Sequence, residues 1–340
     1  KLLRLLDKKN VDYYLISSSD EFLNEYVSEQ DKRLKWITNF SGSNGMALIS
    51  KDEKFFFTDG RYLLQSKKEI NKCFKIIDIN KTSFAKFLEK KLKNKKILLN
   101  TKTFTKDFII KSMRHASLSN NKLIHEKKNL VDKIWKRKQI DIKKLFFLDQ
   151  RIAGQTSAQK LKKINDLNIG RRVLVITSPE AVCWLLNIRG YDIDHTPLVM
   201  SRVIIKKNRI QLFIDKKKLP LNYKKKININ VTTFDINDFE KKLSSLSDER
   251  IYAENQISFY FYNILKKKNK DIVFGYDYCK LLKSQKNKIE IKNSHKAHLY
   301  DGIALTNFFY WLEKSRKKKS LTEYIVANKL EEFRKKNDDY

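Results

Sequence analysis

Apolar and polar residues alternate along this chain in short bursts, and the bursts come twice in the same order. Val11 to Ile16 (VDYYLI) reads as a strand. It is followed by the polar turn SSSDE and a polar helical stretch ending in WITNFSGSNG, Trp36 to Gly45. Two strand-like runs come next, MALIS from Met46 and FFFTD from Phe55, joined by a turn at Lys51-Asp52-Glu53-Lys54. Far downstream the same grammar returns. VLVITS (173–178) leads into PEAVCWLLNIRG, then RVIIKK, a turn at Asn208, and IQLFIDKK. Each copy carries a strand, a Ser-containing turn, a Trp-hydrophobic-x-Asn segment, a glycine turn and a two-strand meander. The duplication predicts that regions 1–127 and 140–290 superpose strand for strand, with Phe57 and Phe213 on equivalent strands.

Helix signals fill the gaps. Ser178 followed by Pro179 and Glu180 is a start signal, because proline at the first helical position loses no hydrogen bond. TSFAKFLEKKLKN and FEKKLSSLSDE place apolar residues at helical spacing with lysine opposite. Strands alternating with helices predict an α/β fold with a mixed sheet in each of two domains. The basic, weakly patterned stretch 136–144 is the expected boundary between them. The last segment differs. Leu305, Phe308, Phe309 and Leu312 are assigned to one helical face, and Ser320 with Glu323 forms a capping-box start before a stripe of Val326, Leu330 and Phe333. Two long amphipathic helices with no sheet to lie on look like the opening of a third domain. The chain opens at Lys1 inside a helical pattern and stops at Asp338-Asp339-Tyr340, so the expectation is a longer natural protein.

Composition narrows the class. The 340 residues are 41% hydrophobic and 12% aromatic, enough to bury substantial cores. Only 8 Gly and 3 Pro argue against linkers and low-complexity repeats. No apolar stretch approaches the roughly 20 residues that span a bilayer, and no secretory signal opens the chain. Cys73, Cys183 and Cys279 are scattered and odd in number, which argues against a disulfide framework or a CxxC metal site. Buried free thiols in a reducing cytosol are the expectation. The net charge of +34 comes from 73 Lys and Arg against 39 Asp and Glu. A basic chain could bind nucleic acid or an anionic membrane by counterion release. The lysines, however, lie along almost the whole chain and greatly outnumber the arginines that favour bidentate base reading. A compositional bias accounts for that spread, and no specific nucleic-acid or membrane partner is expected.

Candidate chemistry is sparse. SGSNG (41–45) lacks the Gly-x-Ser-x-Gly spacing of a nucleophile elbow and reads as a turn. His295, His298 and Asp301 step around a helix rather than along it, which suits a helix start better than a metal site. Asp192, Asp194 and His195 in RGYDIDHTP form a polar loop cluster before Pro197, a weak site signal. FFFTDGRYLLQ (55–65) packs a strand, an Asp59-Gly60 turn and a helix start together, with Arg61 at the mouth. That guanidinium either grips a ligand carbonyl or carboxylate or pairs with a neighbour such as Asp59. No GxGxxG, Walker A, HExxH or CxxC pattern occurs.

Read together, these segments resemble an Xaa-Pro aminopeptidase of the creatinase/prolidase superfamily. SSSDEFLNEYVSEQDKRLKWITNFSGSNGMALIS and TDGRYLLQ resemble its first domain, and NLVDKIW (129–135) the segment that closes it. WLLNIRGYDIDHTPLVMS (184–201) resembles the second domain. IKN (291–293), AHLYDGIALTNFFYWLE and LTEYIVANKLEEFRKKNDDY resemble the opening of the catalytic domain. The resemblance implies two successive creatinase-type, ribonuclease H-like α/β domains, 1–135 and 140–290, then the first helices of a pita-bread peptidase domain at 291–340. It implies a cytoplasmic, homodimeric hydrolase with two divalent metal ions, manganese, that releases the N-terminal residue from peptides with proline second. Two departures stand out. One or two helical turns that the family carries between IKN and SHKAH are missing here, which puts the first catalytic helix in question. The family's metal ligands all follow the matched region, so no catalytic or metal residue is assigned within this chain, and the chain alone is expected to be inactive. Arg61, the arginine of TDGRY, carries over as a substrate-binding residue. A non-catalytic creatinase-like protein-binding module and a basic nucleic-acid-binding protein are the alternative readings.

Overall fold

A computed structural model describes residues 1–138, 141–227, 229–269, 271–317, 321–337 and 340. The first apolar runs build six strands: β1 (Tyr13–Ser17), β2 (Met46–Ile49), β3 (Lys54–Thr58), β4 (Phe74–Asp78), β5 (Lys96–Leu99) and β6 (Lys122–His125). They form one sheet in the order β4-β3-β2-β1-β5-β6. β2 runs antiparallel to both β1 and β3, whereas β4, β5 and β6 pair in parallel with their neighbours.

The second half repeats this plan. After a short β7 (Phe146–Phe147) come β8 (Val173–Ile176) and a short β9 (Ile188–Arg189) that pairs with β7. Next are β10 (Ser201–Lys206), β11 (Arg209–Ile214), β12 (Val231–Phe234), β13 (Ile251–Glu254) and β14 (Ile272–Gly275). The second sheet has the order β12-β11-β10-β8-β13-β14, with the same senses of pairing. β3 and β11 therefore occupy the same place, and Phe57 and Phe213 lie on equivalent strands. Both are fully buried. Phe57 meets Phe84 at 5.3 Å and Phe213 meets Phe239 at 5.1 Å between ring centroids, each partner opening the helix that follows the fourth strand of its sheet. The Trp-hydrophobic-x-Asn segments are equivalent too. Asn39 and Asn187 end helices Arg33–Thr38 and Pro179–Leu186 in the left-handed region, at φ 66° and 51°, where asparagine is tolerated better than most residues.

Ser178 does sit at the start of its helix with Pro179 at the first position, but its side chain makes no cap bond. Cys183 and Cys279 are buried as expected, and burial pushes the Cys183 thiol up to about 11. Cys73 departs from that expectation and is exposed.

The two sheets join into one compact unit with part of their connector. At one contact between them two helix N-termini are paired. Thr105 caps Lys106–Ser117 and Ser258 caps Phe259–Lys268, helices that precede the last strand of each sheet. The Lys106 N–H donates to the Ile257 carbonyl at 3.1 Å and the Phe259 N–H to the Phe104 carbonyl at 2.9 Å. Beside this seam Arg202 is buried. It donates to the Glu21 carbonyl at 2.8 Å and stacks 3.9 Å over the Phe22 ring, with Phe261 and Phe239 at 4.9 and 5.3 Å. Its Nε has no partner among the described residues. Desolvation pushes its pKa down to about 10.

Residues 148–156 and 283–340 pack as a separate unit. Its long helix, Lys288–Ser315, is continuous through both IKN and SHKAH, so the missing turns do not break it. The helix starts at Asn287, where Asn287 and Glu290 form a capping box. His295 and His298 therefore lie inside the helix, not at its start. Phe308 is buried and Phe309 is 60% exposed, which removes Phe309 from the packed face. Helix Glu323–Arg334 is capped by Thr322, whose hydroxyl accepts from Ile325; the expected cap Ser320 lies outside the described residues.

Two buried charges give measurable expectations. Arg202 stands where the first copy has Met46: each pairs across its sheet with the equivalent phenylalanine, Phe213 or Phe57. Replacing a poorly compensated buried ion by an apolar chain of similar volume is commonly neutral or stabilising by about 1–4 kcal/mol. Arg202→Met should keep or raise stability in urea unfolding, and Arg202→Ala should lower it by leaving a void among three rings. The second charge is Asp277. Burial, then the nearby Glu254, raise its pKa from 3.8 to about 6, while the Cys279 and Lys280 N–H groups and the Lys280 charge oppose the shift. Oδ1 accepts from the Cys279 N–H at 2.7 Å and Oδ2 has no partner among the described residues. The folded protein thus holds this proton more tightly than the unfolded chain. The stabilisation is complete below pH 3.8 and is lost as pH rises through 6, a difference of about 3 kcal/mol. Asp277→Asn keeps the cap and cannot ionise. It should stabilise the protein at pH 7.5 and lose that advantage towards pH 4, as read from unfolding curves at the two pH values.

Candidate functional site

The strand β3 ends at Thr58, whose hydroxyl donates to the Asn44 carbonyl at 2.7 Å. Asp59 then folds the chain back by accepting the Arg61 backbone N–H at 3.0 Å, an Asx-type turn that starts the 3₁₀ segment Gly60–Tyr62. The same carboxylate takes the Arg61 side chain as a fork, Nε at 3.0 Å and Nη2 at 2.8 Å, and receives Asn44 Nδ2 at 2.7 Å. These donors hold Asp59 well below the usual carboxylate range. Arg61 is 69% exposed in its side chain and lies 5.1 Å from the Tyr62 ring centroid. The pairing with Asp59 that the sequence left open is therefore present, and the guanidinium faces solvent with Nη1 outside the pair.

SGSNG is a turn, as its composition implies. Gly42 is required by close approach, since a Cβ there would lie 2.3 Å from the Phe40 ring and 2.8 Å from the Tyr62 ring. The turn is tied down by Ser43 Oγ at 2.8 Å from the Tyr62 hydroxyl and by Ser41, whose N–H and hydroxyl both donate to Glu69 at 2.7 Å.

This turn forms one wall of a cleft between the duplicated domains, with a volume near 360 Å³. Leu34, Phe40 and Ile193 supply buried apolar lining, and Glu25, Asp194 and His195 are exposed around it. The second domain's contribution comes from the loop RGYDIDHTP. Its three candidates separate. Asp192 is structural: it accepts the Met200 N–H and the Lys218 ammonium, both at 2.6 Å. Gly190 lets the loop press on Val199, where a Cβ would lie 2.9 Å from the valine Cβ. Asp194 and His195 are thereby presented to the cleft, His195 in the left-handed region at φ 59°. Glu25 and Phe40 were not singled out from sequence. Glu25 precedes and Phe40 follows the short helix Arg33–Thr38, and only the fold brings them opposite the loop at 193–195.

The remaining candidates do not assemble a centre. Asp301 is held by Arg334, with Nε at 2.6 Å and Nη2 at 3.3 Å. His298 Nδ1 lies 2.9 Å from the Ser294 carbonyl within its own helix. Among the described residues no group of three or more His, Cys, Asp or Glu is arranged to hold a metal ion. No catalytic step is assigned to a metal here. No helix of the described residues is long and apolar enough to cross a membrane.

Comparison with known proteins places the duplication in a family. Residues 1–128 and 136–290 match two family models, each described as the Creatinase/Prolidase N-terminal domain. A probable Xaa-Pro aminopeptidase P of Coprinopsis cinerea is 29% identical, the match covering 99% of this chain and 58% of that protein. Xaa-Pro aminopeptidase 1 of Dictyostelium discoideum is 28% identical, covering 100% of this chain and 57% of that one. The crystal structure of an X-prolyl aminopeptidase from Caenorhabditis elegans, described as a cytosolic enzyme with a di-nuclear active site, superposes with a TM-score of 0.90. It is 25% identical, over 97% of this chain and 56% of that one. The chain thus spans little more than half the length of these relatives. Two creatinase-type sheets in tandem, and a relationship to Xaa-Pro aminopeptidases that runs through all the matched segments, show that the chain belongs to the creatinase/prolidase superfamily.

Proposed function

We propose that these residues are the N-terminal part of an Xaa-Pro aminopeptidase that releases the first residue from peptides with proline in second position. The relationship to Xaa-Pro aminopeptidases along essentially the whole chain carries this reading. Domains 1–135 and 140–290 are the two creatinase-type units, and 291–340 opens the peptidase domain. Hydrolysis falls to two divalent ions, manganese, on ligands that these residues do not contribute; the di-nuclear site described for the C. elegans enzyme supports two metals. A cytosolic homodimer is the corresponding assembly and location.

Within this reading Arg61 grips the peptide away from the bond that breaks. Its exposure supports the role, as does the fork to Asp59, which fixes the guanidinium plane and leaves Nη1 for a peptide carbonyl or carboxylate. A pre-set donor loses less side-chain entropy on binding than a free one.

The 340-residue chain, purified and supplied with manganese, should not hydrolyse Ala-Pro or Arg-Pro peptides. Proline-dependent release of the N-terminal residue by this chain would overturn the assignment of the metal ligands to other residues. In a complete, metal-bearing enzyme, Arg61→Ala removes a charge-assisted contact and should lower kcat/KM by about ten- to hundredfold. The loss should be larger for tripeptides and longer substrates than for dipeptides, and Arg61→Lys should restore it only in part. Wild-type kinetics of Arg61→Ala on long substrates, with a lowered melting temperature, would leave Arg61 a turn residue that holds Asp59.

A further inference from the structure

The cleft between the two sheets has features that the TDGRY turn does not use. Its volume, near 360 Å³, suits a small organic molecule, and pockets of that kind gather at domain interfaces. Both copies contribute to it, so it exists only in the assembled pair. Leu34, Phe40 and Ile193 are almost fully buried and give the cavity an apolar lining. Phe40 is fixed edge-on against Phe56 and Tyr62, at 4.8 and 5.7 Å between centroids.

The charged residues of the lining are balanced, Glu25 and Asp194 against Lys32 and Lys35, unlike the chain as a whole. Basic residues outnumber acidic ones by 73 to 39 in the chain, and many of its carboxylates are drawn into ion pairs. Glu25 and Asp194, one from each copy, both line the cleft and have no hydrogen-bond or ion-pair partner within 4 Å among the described residues. The lysines of the cleft differ. Lys32 pairs with Glu29, and Lys35 lies 3.8 Å from the same carboxylate. The exposed Arg61 attracts Glu25 at longer range without pairing to it. Available negative charge above an apolar floor suits a cation carried on an apolar body.

The backbone next to each carboxylate is tied down. Glu25 follows a turn closed by the buried Asp20, which accepts the Phe22 and Asn24 N–H groups at 2.9 and 3.1 Å. Arg202 of the second copy holds the same turn through the Glu21 carbonyl. Asp194 stands on the loop that Asp192 ties to Met200 and Lys218. Anchored backbone leaves only the two carboxylate side chains to be ordered on binding.

We propose that this cleft binds an ammonium group attached to a small apolar side chain, with Glu25 and Asp194 receiving the charge and Phe40, Leu34 and Ile193 the apolar body. A free amine or the N-terminus of a peptide carries that chemistry. The inference does not rest on the aminopeptidase reading, because it concerns binding by the 340-residue chain and needs neither a metal nor hydrolysis.

The experiment is an NMR titration of the isotope-labelled chain, read at the amides of Gly42, Ser43, Asp194 and His195. The probes are leucinamide, N-acetylleucinamide and the tripeptide Leu-Gly-Gly. Leucinamide should shift these amides saturably, and N-acetylleucinamide, which lacks the ammonium, should not. Leu-Gly-Gly binding as well as or better than leucinamide would identify a peptide end as the ligand, and leucinamide alone would identify a free amine. Glu25→Gln and Asp194→Asn are exposed, near-isosteric changes that leave the fold intact. Each should weaken leucinamide about tenfold or more, as loss of one charged partner implies. Equal binding of the acetylated probe, no saturable shift with any probe, or unchanged affinity in both variants would overturn the proposal. These outcomes are independent of whether the complete protein cleaves Xaa-Pro bonds.

Discussion

The two backbone hydrogen bonds exchanged between the helix starts at Thr105 and Ser258 set most of what this molecule can do. Each helix N-terminus has N–H groups that no residue of its own helix can satisfy. Thr105 and Ser258 cap one set from within. The Lys106 and Phe259 N–H groups are then satisfied across the seam, by carbonyls of the other copy. Because the contact uses the same element from both copies, it brings the sheets together in a near-symmetric way. The loops that follow β1 and precede β10 then meet across a cleft.

That near-symmetry is broken where function is sought. At the position of Met46 in the first copy, the second has Arg202, buried among Phe22, Phe239 and Phe261. The first copy contributes the TDGRY turn, with Asp59 locking Arg61, and the second contributes the loop that displays Asp194 and His195. Duplication of a scaffold followed by divergence at loops is what rigid sheets permit, because loop changes do not disturb the packed layers. Phe57 and Phe213 remain interchangeable in role, each sealing its sheet to the next helix.

Charge follows the same division. Most of the positive excess is spread over exposed lysines. The charges that matter are few and buried or fixed: Arg202 without a carboxylate partner, Asp277 beside Glu254, Asp59 clasped by Arg61. Arg202 and Asp277 are buried and so resist the screening that makes surface charges weak, whereas the Asp59–Arg61 pair stands at the surface and is held by its fork geometry.

The sequence by itself determined the class and the repeat. Strand runs of period two or continuous burial, helix starts such as Pro179, and the paired Trp-x-x-Asn segments are local signals, and local physics fixes them. They were enough to place Phe57 and Phe213 on equivalent strands and to single out Arg61. Strand ends shifted by one to three residues, because the ladder, not hydrophobicity, decides where a strand stops. Phe309 left the packed face because one residue of helix turns by about 100°, and the surrounding helices decide how wide that face is. The pairing of Arg61 with Asp59, two residues away, is a local turn that the sequence already offered. The separation of Asp192 from Asp194 and His195, and the pairing of Asp301 with Arg334, were decided by tertiary structure alone. So was the cleft itself, which joins residues 18–43 to 193–195. Those contacts join positions far apart along the chain, and no local pattern of polarity encodes which distant loop a given carboxylate will face.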